Sequence, residues 1–147
     1  MSAEQTQLAA IKSHFLAGRL DQARTAAMRL VQKSPGNAEA HNTCATVLYH
    51  TGDRERAMYY ARRAAELEPR EGAYRATVAN LLVAGGKRDE AISEFLKAEV
   101  LQPGEARHVL GLVPLYWERG EHDMALAAAR RGMAADAAAG WDRWRVC

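Results

Sequence analysis

The residue types most often used in catalysis and metal binding are present in this chain, but their spacing fits neither task. Histidine and cysteine supply general bases, nucleophiles and soft metal ligands, and the candidates are His14, His41, His50, His108, His122, Cys44 and Cys147. No two histidines stand at a metal-ligand spacing, and the nucleophile-elbow, phosphate-loop and zinc-helix motifs are missing. The carboxylates do not converge as a pair. We therefore predict no catalytic residue, no metal site and no cofactor.

The net charge, the cysteine count and the distribution of apolar residues limit the kinds of partner that we expect. The formal net charge is +2 over 147 residues, whereas nucleic-acid binding needs a concentrated basic footprint. Two cysteines without a framework spacing favour a reducing compartment. The first residues are polar, and no apolar run reaches the length of a signal core or a membrane span. These features predict a cytoplasmic protein whose partners are proteins or peptides, not nucleic acids or membranes.

The elements that position these side chains repeat along the chain. Glycine, alanine and proline each recur every 34 positions, at Gly18, Gly52, Gly86 and Gly120, at Ala23, Ala57, Ala91 and Ala125, and at Pro35, Pro69 and Pro103. A fixed period of this length is typical of a stacked array of supersecondary units. Such arrays usually serve as binding surfaces, so the period bears on function as well as on fold.

One period encodes a pair of helices. In residues 38–71, small and apolar residues recur at three- and four-residue intervals on both sides of Gly52, which is the pattern of two amphipathic helices. Glycine supplies the backbone freedom of a tight turn between them. Pro69 ends the second stripe because proline cannot join the helical hydrogen-bond ladder. Each period therefore predicts helix, turn, helix and stop. His14 and His41 take packing positions in this pattern, so we expect both to be buried and neutral.

This pattern resembles the tetratricopeptide repeat. In that family's phase the repeats span residues 4–37, 38–71, 72–105 and 106–139, and residues 140–147 are the start of a fifth repeat or a capping stub. The family's early tryptophan is missing, and only Phe95 fills the large position of the second helix. The resemblance implies an all-α fold, a right-handed superhelical α-solenoid of about four helix pairs, as one array over residues 1–147. An open C-terminal edge would offer a surface for self-association.

The resemblance also implies where a partner binds. In similar arrays the first helix of each repeat lines a concave groove, and carrying those positions over residue by residue selects Lys12, Phe15, Asn42, Thr43, Thr46, Tyr49, His50, Thr77, Asn80, Arg107 and Trp117. Hydroxyl and amide groups suit the backbone of an extended peptide, and aromatic rings anchor apolar side chains at low entropic cost. The predicted function is a scaffold or adaptor that binds a peptide segment.

Two other functions remain open at this point. The array could be the substrate-recruiting arm of a larger enzyme of the glycosyltransferase or sulfotransferase type, or a small dedicated secretion chaperone. A basic residue also recurs on each second helix, at Arg29, Arg63, Lys97 and Arg131. It either complements the helix dipole and aids solubility or forms an outer stripe for an acidic partner.

Pro114 interrupts the first helix of the fourth repeat, three residues after Gly111. Proline inside a helix typically kinks it, which would re-aim Trp117. Alternatively a new helix starts there, since proline is well tolerated in a first turn. The second interpretation is the one that we favour.

Overall fold

The computed structural model describes residues 2–145, and the side chains of residues 2–138. The regular elements within residues 2–145 are all helices. The chain forms two compact units, the first ending at Pro69 and the second beginning at Arg70. This boundary falls within two residues of the predicted junction between the second and third repeats. The prediction of a single array over the whole chain stays a prediction.

The first unit contains two helical hairpins. Its helices are α1 (Ala3–Leu16), α2 (Leu20–Lys33), α3 (Ala38–His50) and α4 (Arg54–Leu67). Helix α1 packs against α2 and α3, α2 packs against α3, and α3 packs against α4. Ile11, Cys44 and Leu48 are completely or almost completely buried, and they are joined by the small residues Ala23 and Ala57. Because an alanine side chain is a single methyl group, the paired helices approach closely at these positions.

The second unit begins with one regular hairpin. Its helices are α5 (Gly72–Ala84), α6 (Arg88–Leu101), α7 (Ala106–Leu110), α8 (Leu112–Glu118) and α9 (His122–Arg145). Helix α5 packs against α6, while α7 and α8 both pack against α9 and α6. The largest buried side chains include Leu82, Phe95, Leu112 and Leu115.

The four periodic glycines are the turns between paired helices, as predicted. Gly18, Gly52, Gly86 and Gly120 have φ of 78°, 91°, 79° and 77°, a left-handed conformation in which a Cβ would be strained. In each turn the glycine N–H donates to the carbonyl three residues earlier, and the next N–H donates to the carbonyl five residues earlier. The same closing geometry occurs four times because each repeat has the same backbone requirement at this point.

The first helix of the fourth repeat is divided in two. Helix α7 ends at Leu110, and α8 begins at Leu112 with Pro114 in its first turn. This confirms the interpretation that a new helix starts around Pro114, where the missing N–H removes no helical hydrogen bond. A Cβ placed on Gly111 would lie 2.5 Å from Cζ of Phe95, so the backbone at the break passes directly over that ring.

The last helix passes the predicted end of the fourth repeat. Helix α9 runs from His122 to Arg145 without a break at Gly140, because Ala137 stands where the other repeats have proline. The expected fifth first helix starting at residue 140 is therefore not a separate element within the described residues. Val146 and Cys147, which belonged to that expectation, lie outside the described residues, as do the side chains of Trp141 and Trp144.

A buried histidine joins three helices of the second unit. His108 Nε2 lies 3.1 Å from Oε1 of Gln102, and the Gln102 amide donates from Nε2 to Oε1 of Glu71 at 2.8 Å. An amide oxygen only accepts, so His108 Nε2 carries the hydrogen. His108 Nδ1 is buried and has no hydrogen-bond partner among the described residues. Burial lowers the pKa of His108 below its usual value of 6.5, so the ring is neutral at physiological pH.

This network predicts a loss of stability in mild acid. Because the folded-state pKa of His108 is lowered, the unfolded chain binds the proton more readily. The free energy of unfolding should be highest above about pH 6.5 and should fall as the pH drops from there towards the folded-state pKa of His108. The loss should be at most about 1.4 kcal/mol for each unit by which folding lowers this pKa. Urea denaturation between pH 8 and 5 measures it. His108→Gln should flatten the profile over this range, whereas His122→Asn, at an exposed imidazole, should retain it. An unchanged pH profile in His108→Gln would contradict the assignment.

Candidate functional site

Large side chains recur at the end of each first helix, three residues before the turn glycine. Phe15 and Tyr49 hold this position in the first unit, and Val83 and Trp117 hold it in the second. Their carbonyls accept the glycine N–H that closes each turn, so the turn holds their backbone in place. The three aromatic residues were predicted as site residues from the sequence, whereas Val83, which is 39% exposed, was not. The period of the repeat predicts Val83 as well, because it stands 34 positions after Tyr49.

In the first unit, His50 lies against both aromatic rings. Its ring centroid is 4.9 Å from that of Phe15 and 5.2 Å from that of Tyr49, and both contacts are edge-to-face. Phe15 is half-buried, while Tyr49 and His50 are exposed. We call these three residues the aromatic cluster. Edge-to-face aromatic pairs add roughly 0.5–1.5 kcal/mol beyond the burial of their area, so the cluster is a partly rigid surface.

The hydrogen bonds of His50 define its tautomer. Nδ1 lies 2.9 Å from the carbonyl oxygen of Thr46, and because a carbonyl only accepts, Nδ1 carries the hydrogen. In the neutral ring, Nε2 is then an acceptor for a donor from a bound partner. The ring is fixed from one side by its own helix and from two sides by aromatic neighbours.

The polar residues predicted around the cluster are partly engaged within the protein. Thr46 Oγ1 donates to the carbonyl of Asn42 at 3.2 Å, so this hydroxyl offers acceptor capacity rather than its hydrogen. Asn42 and Thr43 are half-buried on α3, and Oδ1 of Asn42 is buried without a partner among the described residues. Lys12 forms an exposed ion pair with Glu39 at 3.0 Å. The hydroxyl hydrogen of Thr46 is therefore used by the helix backbone, and its lone pairs remain available to a partner.

The predicted residues of the second unit form a more open surface. Thr77 Oγ1 donates to the carbonyl of Ala73 at 3.1 Å, so its hydroxyl hydrogen is engaged in the same way as that of Thr46. Asn80 is exposed. Arg107 Nε lies 3.1 Å from Oε1 of Glu105, and this hydrogen bond lowers the pKa of the Glu105 carboxyl.

Trp117 is the largest exposed side chain among these residues of the second unit. It is 59% exposed, and its ring stacks on His122 with centroids 4.2 Å apart and an interplanar angle of 18°. His122 begins α9, just past the glycine turn. The stack holds the indole in place while leaving much of it open to solvent. Leu110, which is 38% exposed on α7, adds apolar surface to this unit and was not among the predicted site residues.

The two histidines expected to be buried differ in their surroundings. His41 is buried, and its Nε2 lies 2.8 Å from the carbonyl of Pro35. His14 is half-buried and accepts a hydrogen bond at Nδ1 from Nε of Arg19. The expectation of burial is therefore wrong at His14, where the ring lies at the edge of the hairpin beside an exposed arginine.

Metal binding and membrane insertion leave no signature in the part of the chain that the structure describes. Among residues 2–138, whose side chains are described, no group of three or more histidine, cysteine or carboxylate side chains is placed to hold a metal ion. None of the helices within these residues combines the length and the apolar character that a bilayer-spanning segment needs.

Comparison with known proteins identifies the class of protein. A family model of the tetratricopeptide repeat matches residues 14–81, and solved structures of tetratricopeptide proteins match nearly the whole chain. The resemblance to the tetratricopeptide repeat is therefore supported by a family model over residues 14–81, and the predicted all-α fold of helix–turn–helix repeats is confirmed. A search of curated proteins finds no match.

Three solved structures illustrate the similarity. The crystal structure of MamA is 18% identical, with 94% of this chain and 81% of that chain covered and a TM-score of 0.83. YrrB, described as a tetratricopeptide protein with an unusual peptide-binding site, is 20% identical over 90% of this chain and 69% of that chain, with a TM-score of 0.74. TTC0263, a thermophilic tetratricopeptide protein of Thermus thermophilus, is 24% identical over 90% of this chain and 74% of that chain, with a TM-score of 0.79.

Proposed function

We propose that this protein is a non-catalytic interaction module that binds an extended peptide segment of a protein partner. The observation that carries the proposal is the aromatic cluster of Phe15, Tyr49 and His50 on the first helices of the first unit. Rigid aromatic side chains are frequent anchors in protein interfaces because little rotamer freedom is lost on binding. The similar tetratricopeptide protein YrrB is described as having a peptide-binding site, which supports the same class of ligand here.

Within this proposal the first unit supplies both anchoring and polar contacts. An apolar side chain of the peptide would lie on the aromatic cluster. Nε2 of His50 and the lone pairs of Thr46 Oγ1 would accept hydrogen bonds from peptide N–H groups, with Asn42 and Thr43 beside them. Lys12 would exchange its exposed partner Glu39 for a peptide carboxylate at little cost, because exposed ion pairs contribute only about 0–1 kcal/mol.

The second unit would provide a separate contact surface. Trp117, held by His122, would anchor a second apolar side chain, and Val83 and Leu110 would widen the apolar area. Asn80 would bond the peptide backbone through its exposed amide. Arg107 forms an ion pair with Glu105, and this pair orients its guanidinium group. Arg107 would therefore offer the peptide a positive charge in a fixed orientation.

Site-specific photo-crosslinking tests the proposal with no partner chosen in advance. Benzoylphenylalanine replaces Tyr49 in one variant and Tyr59, which is 64% exposed on α4, in a matched control. After irradiation in lysate and mass spectrometry, position 49 should capture discrete partner proteins that position 59 does not. Identical capture at both positions would contradict the assignment of the binding face.

The captured partner then permits a quantitative test. Phe15→Ala combined with Tyr49→Ala should weaken its affinity by at least about tenfold, or 1.4 kcal/mol, because the double substitution removes the anchor. Isothermal titration calorimetry measures this change. Tyr59→Ala should leave the affinity within about twofold, since exposed contacts outside an anchor are nearly neutral.

A further inference from the structure

The first unit has a cleft on another surface, between α1 and α2. It has a volume of about 280 Å³ and is lined by Gln7, Ala10, Ala26, Arg29, Leu30 and Lys33. None of these residues belongs to the aromatic cluster or its polar neighbours. The volume lies just below the range of about 300–1,000 Å³ typical of small-molecule pockets. The cleft therefore suits one large side chain and its flanking groups.

The cleft exists because a pair of side chains that fills the equivalent space in the second repeat is missing from the first. Gln7 and Ala26 stand 34 positions before His41 and Tyr60. In the second repeat those two rings are in contact, with centroids 5.7 Å apart. With alanine in place of tyrosine, no aromatic ring from α2 enters the space. The floor is apolar, because Leu30 is 2% exposed and the alanines expose only methyl groups.

The third repeat fills the same pair of positions differently. Arg75 and Glu94, 34 positions after His41 and Tyr60, form an ion pair at 3.3 Å. At these positions an aromatic contact joins the two helices of the second repeat, and an ion pair joins the two helices of the third repeat. The first repeat has neither, so its helices leave an opening.

The charge at the rim of the cleft is positive. Arg63, Lys97 and Arg131, which follow Arg29 at the interval of the repeat, are paired with Glu66, Glu94 and Glu99. In the part of the chain that the structure describes, no ion pair involves Arg29 or Lys33. The rim cations of the first repeat are therefore available to a ligand, whereas their equivalents in the later repeats are neutralised.

The carboxylates of α1 and α2 do not neutralise this rim. Glu4, the acidic residue of α1, accepts hydrogen bonds from Ser34 and Asn37 at 2.8 and 2.7 Å. Asp21 lies in the first turn of α2, two turns away from Arg29. Two exposed cations beside an apolar floor complement a ligand that combines an apolar group with carboxylates.

We propose that the α1–α2 cleft binds a peptide segment in which one large apolar side chain is flanked by carboxylates. The apolar side chain of the peptide enters the space in the first repeat that is equivalent to the one filled by Tyr60 and His41 in the second repeat. The carboxylates of the peptide pair with Arg29 and Lys33. The occupant is a protein partner with an acidic apolar motif. This site is separate from the aromatic cluster, so it does not rest on the proposed function.

Fluorescence anisotropy with the full chain tests this site. The probe is a fluorescein-labelled peptide of the sequence Glu-Asp-Phe-Glu-Asp with a blocked C-terminus. It should bind saturably below about 1 mM, the affinity corresponding to roughly 4 kcal/mol. A version with alanine in place of phenylalanine should bind at least tenfold more weakly. Absence of saturable binding by the phenylalanine probe, or equal binding of both peptides, would overturn the proposal.

Two variants address the two parts of the cleft. Arg29→Glu combined with Lys33→Glu reverses the rim charge and should weaken the probe at least tenfold. Ala26→Tyr fills the cleft in the way of the second repeat and should abolish binding while circular dichroism remains helical. If Ala26→Tyr loses helicity, the smaller Ala26→Leu serves the same purpose. Unchanged affinity in the charge-reversal or the filling variant would overturn the proposal.

Two controls separate this site from general electrostatics and from the aromatic cluster. Lys87→Glu combined with Arg130→Glu changes the net charge equally at exposed positions of the second unit and should leave the affinity within about twofold. Phe15→Ala combined with Tyr49→Ala should also leave it unchanged. Equal weakening by Lys87→Glu/Arg130→Glu and by the rim reversal would show attraction to net charge alone and would overturn the cleft assignment.

Discussion

Cys44 should react with iodoacetamide at pH 8 about a thousandfold more slowly than an exposed thiol. Burial raises the pKa of Cys44 from 9.0 to about 12, and the thiolate is the reactive species. The thiol is completely buried, with Sγ lying 3.7 Å from Sδ of Met28 between α2 and α3. At a pH below both values the thiolate fraction falls about tenfold for each unit by which the pKa rises.

The measurement is a time course of alkylation followed by mass spectrometry. Cys147→Ser removes the second thiol, and Ser13→Cys adds an exposed reference thiol on α1 in the same molecule. Two kinetic phases are expected, a fast one from residue 13 and a slow one from Cys44, and both should become fast in urea. A single fast phase without urea would show that the interface between α2 and α3 is open.

Gly111→Ala should destabilise the second unit, and the size of the loss in free energy of unfolding should depend on the side chain of Phe95. The new Cβ would lie 2.5 Å from the ring of Phe95, which is itself 2% exposed and cannot move aside. Overpacking of this kind costs roughly 1–3 kcal/mol. Phe95→Ala alone should cost roughly 3–5 kcal/mol through the cavity that it leaves.

The two substitutions should be strongly non-additive. Two repeats earlier, Ala27 of the first repeat and Thr43 of the second stand at the positions equivalent to Phe95 and Gly111, so a small residue on one helix goes with a larger one on the next. Phe95→Ala combined with Gly111→Ala should therefore recover at least about 1 kcal/mol relative to the sum of the single effects, within the usual range for residues in contact. Urea denaturation followed by circular dichroism gives the free energies of unfolding of the parent, the two single variants and the double variant.

Gly104→Ala is the matched control for this cycle. An added Cβ there meets no atom within 4 Å, so the free energy of unfolding should change by less than about 0.5 kcal/mol. Additive effects of the changes at residues 95 and 111 would show that the ring and the backbone break do not depend on each other.

Much of the fold could be predicted because its signals are local. A left-handed turn needs glycine, and a helix stops before proline, so Gly52 and Pro69 predict their own backbone from neighbouring residues alone. The candidate face stays a prediction that came from the resemblance to the tetratricopeptide repeat, while the period places Phe15, Tyr49 and Trp117 at equivalent positions before their turns. These conclusions depend on backbone conformations that a few adjacent residues dictate.

The contacts between side chains were decided only by the tertiary structure. Thr46 uses its hydroxyl hydrogen within its helix, and His50 turns between two rings, because neighbouring atoms compete for each donor and each surface. His108 meets an amide that lies at the end of another helix, and that contact selects its tautomer.

The cleft beside Arg29 and the ring beneath Gly111 have the same kind of origin. Each depends on the sizes of the side chains that face one another across two packed helices. The sequence period specifies which positions meet, but it does not specify whether the side chains at those positions fill the space between them. The repeat by itself determined the helices, the turns and the position of the aromatic residues. Packing determined which polar groups remain free, which charges are neutralised and where space is left, since close-packed interiors are sensitive to the size of every side chain.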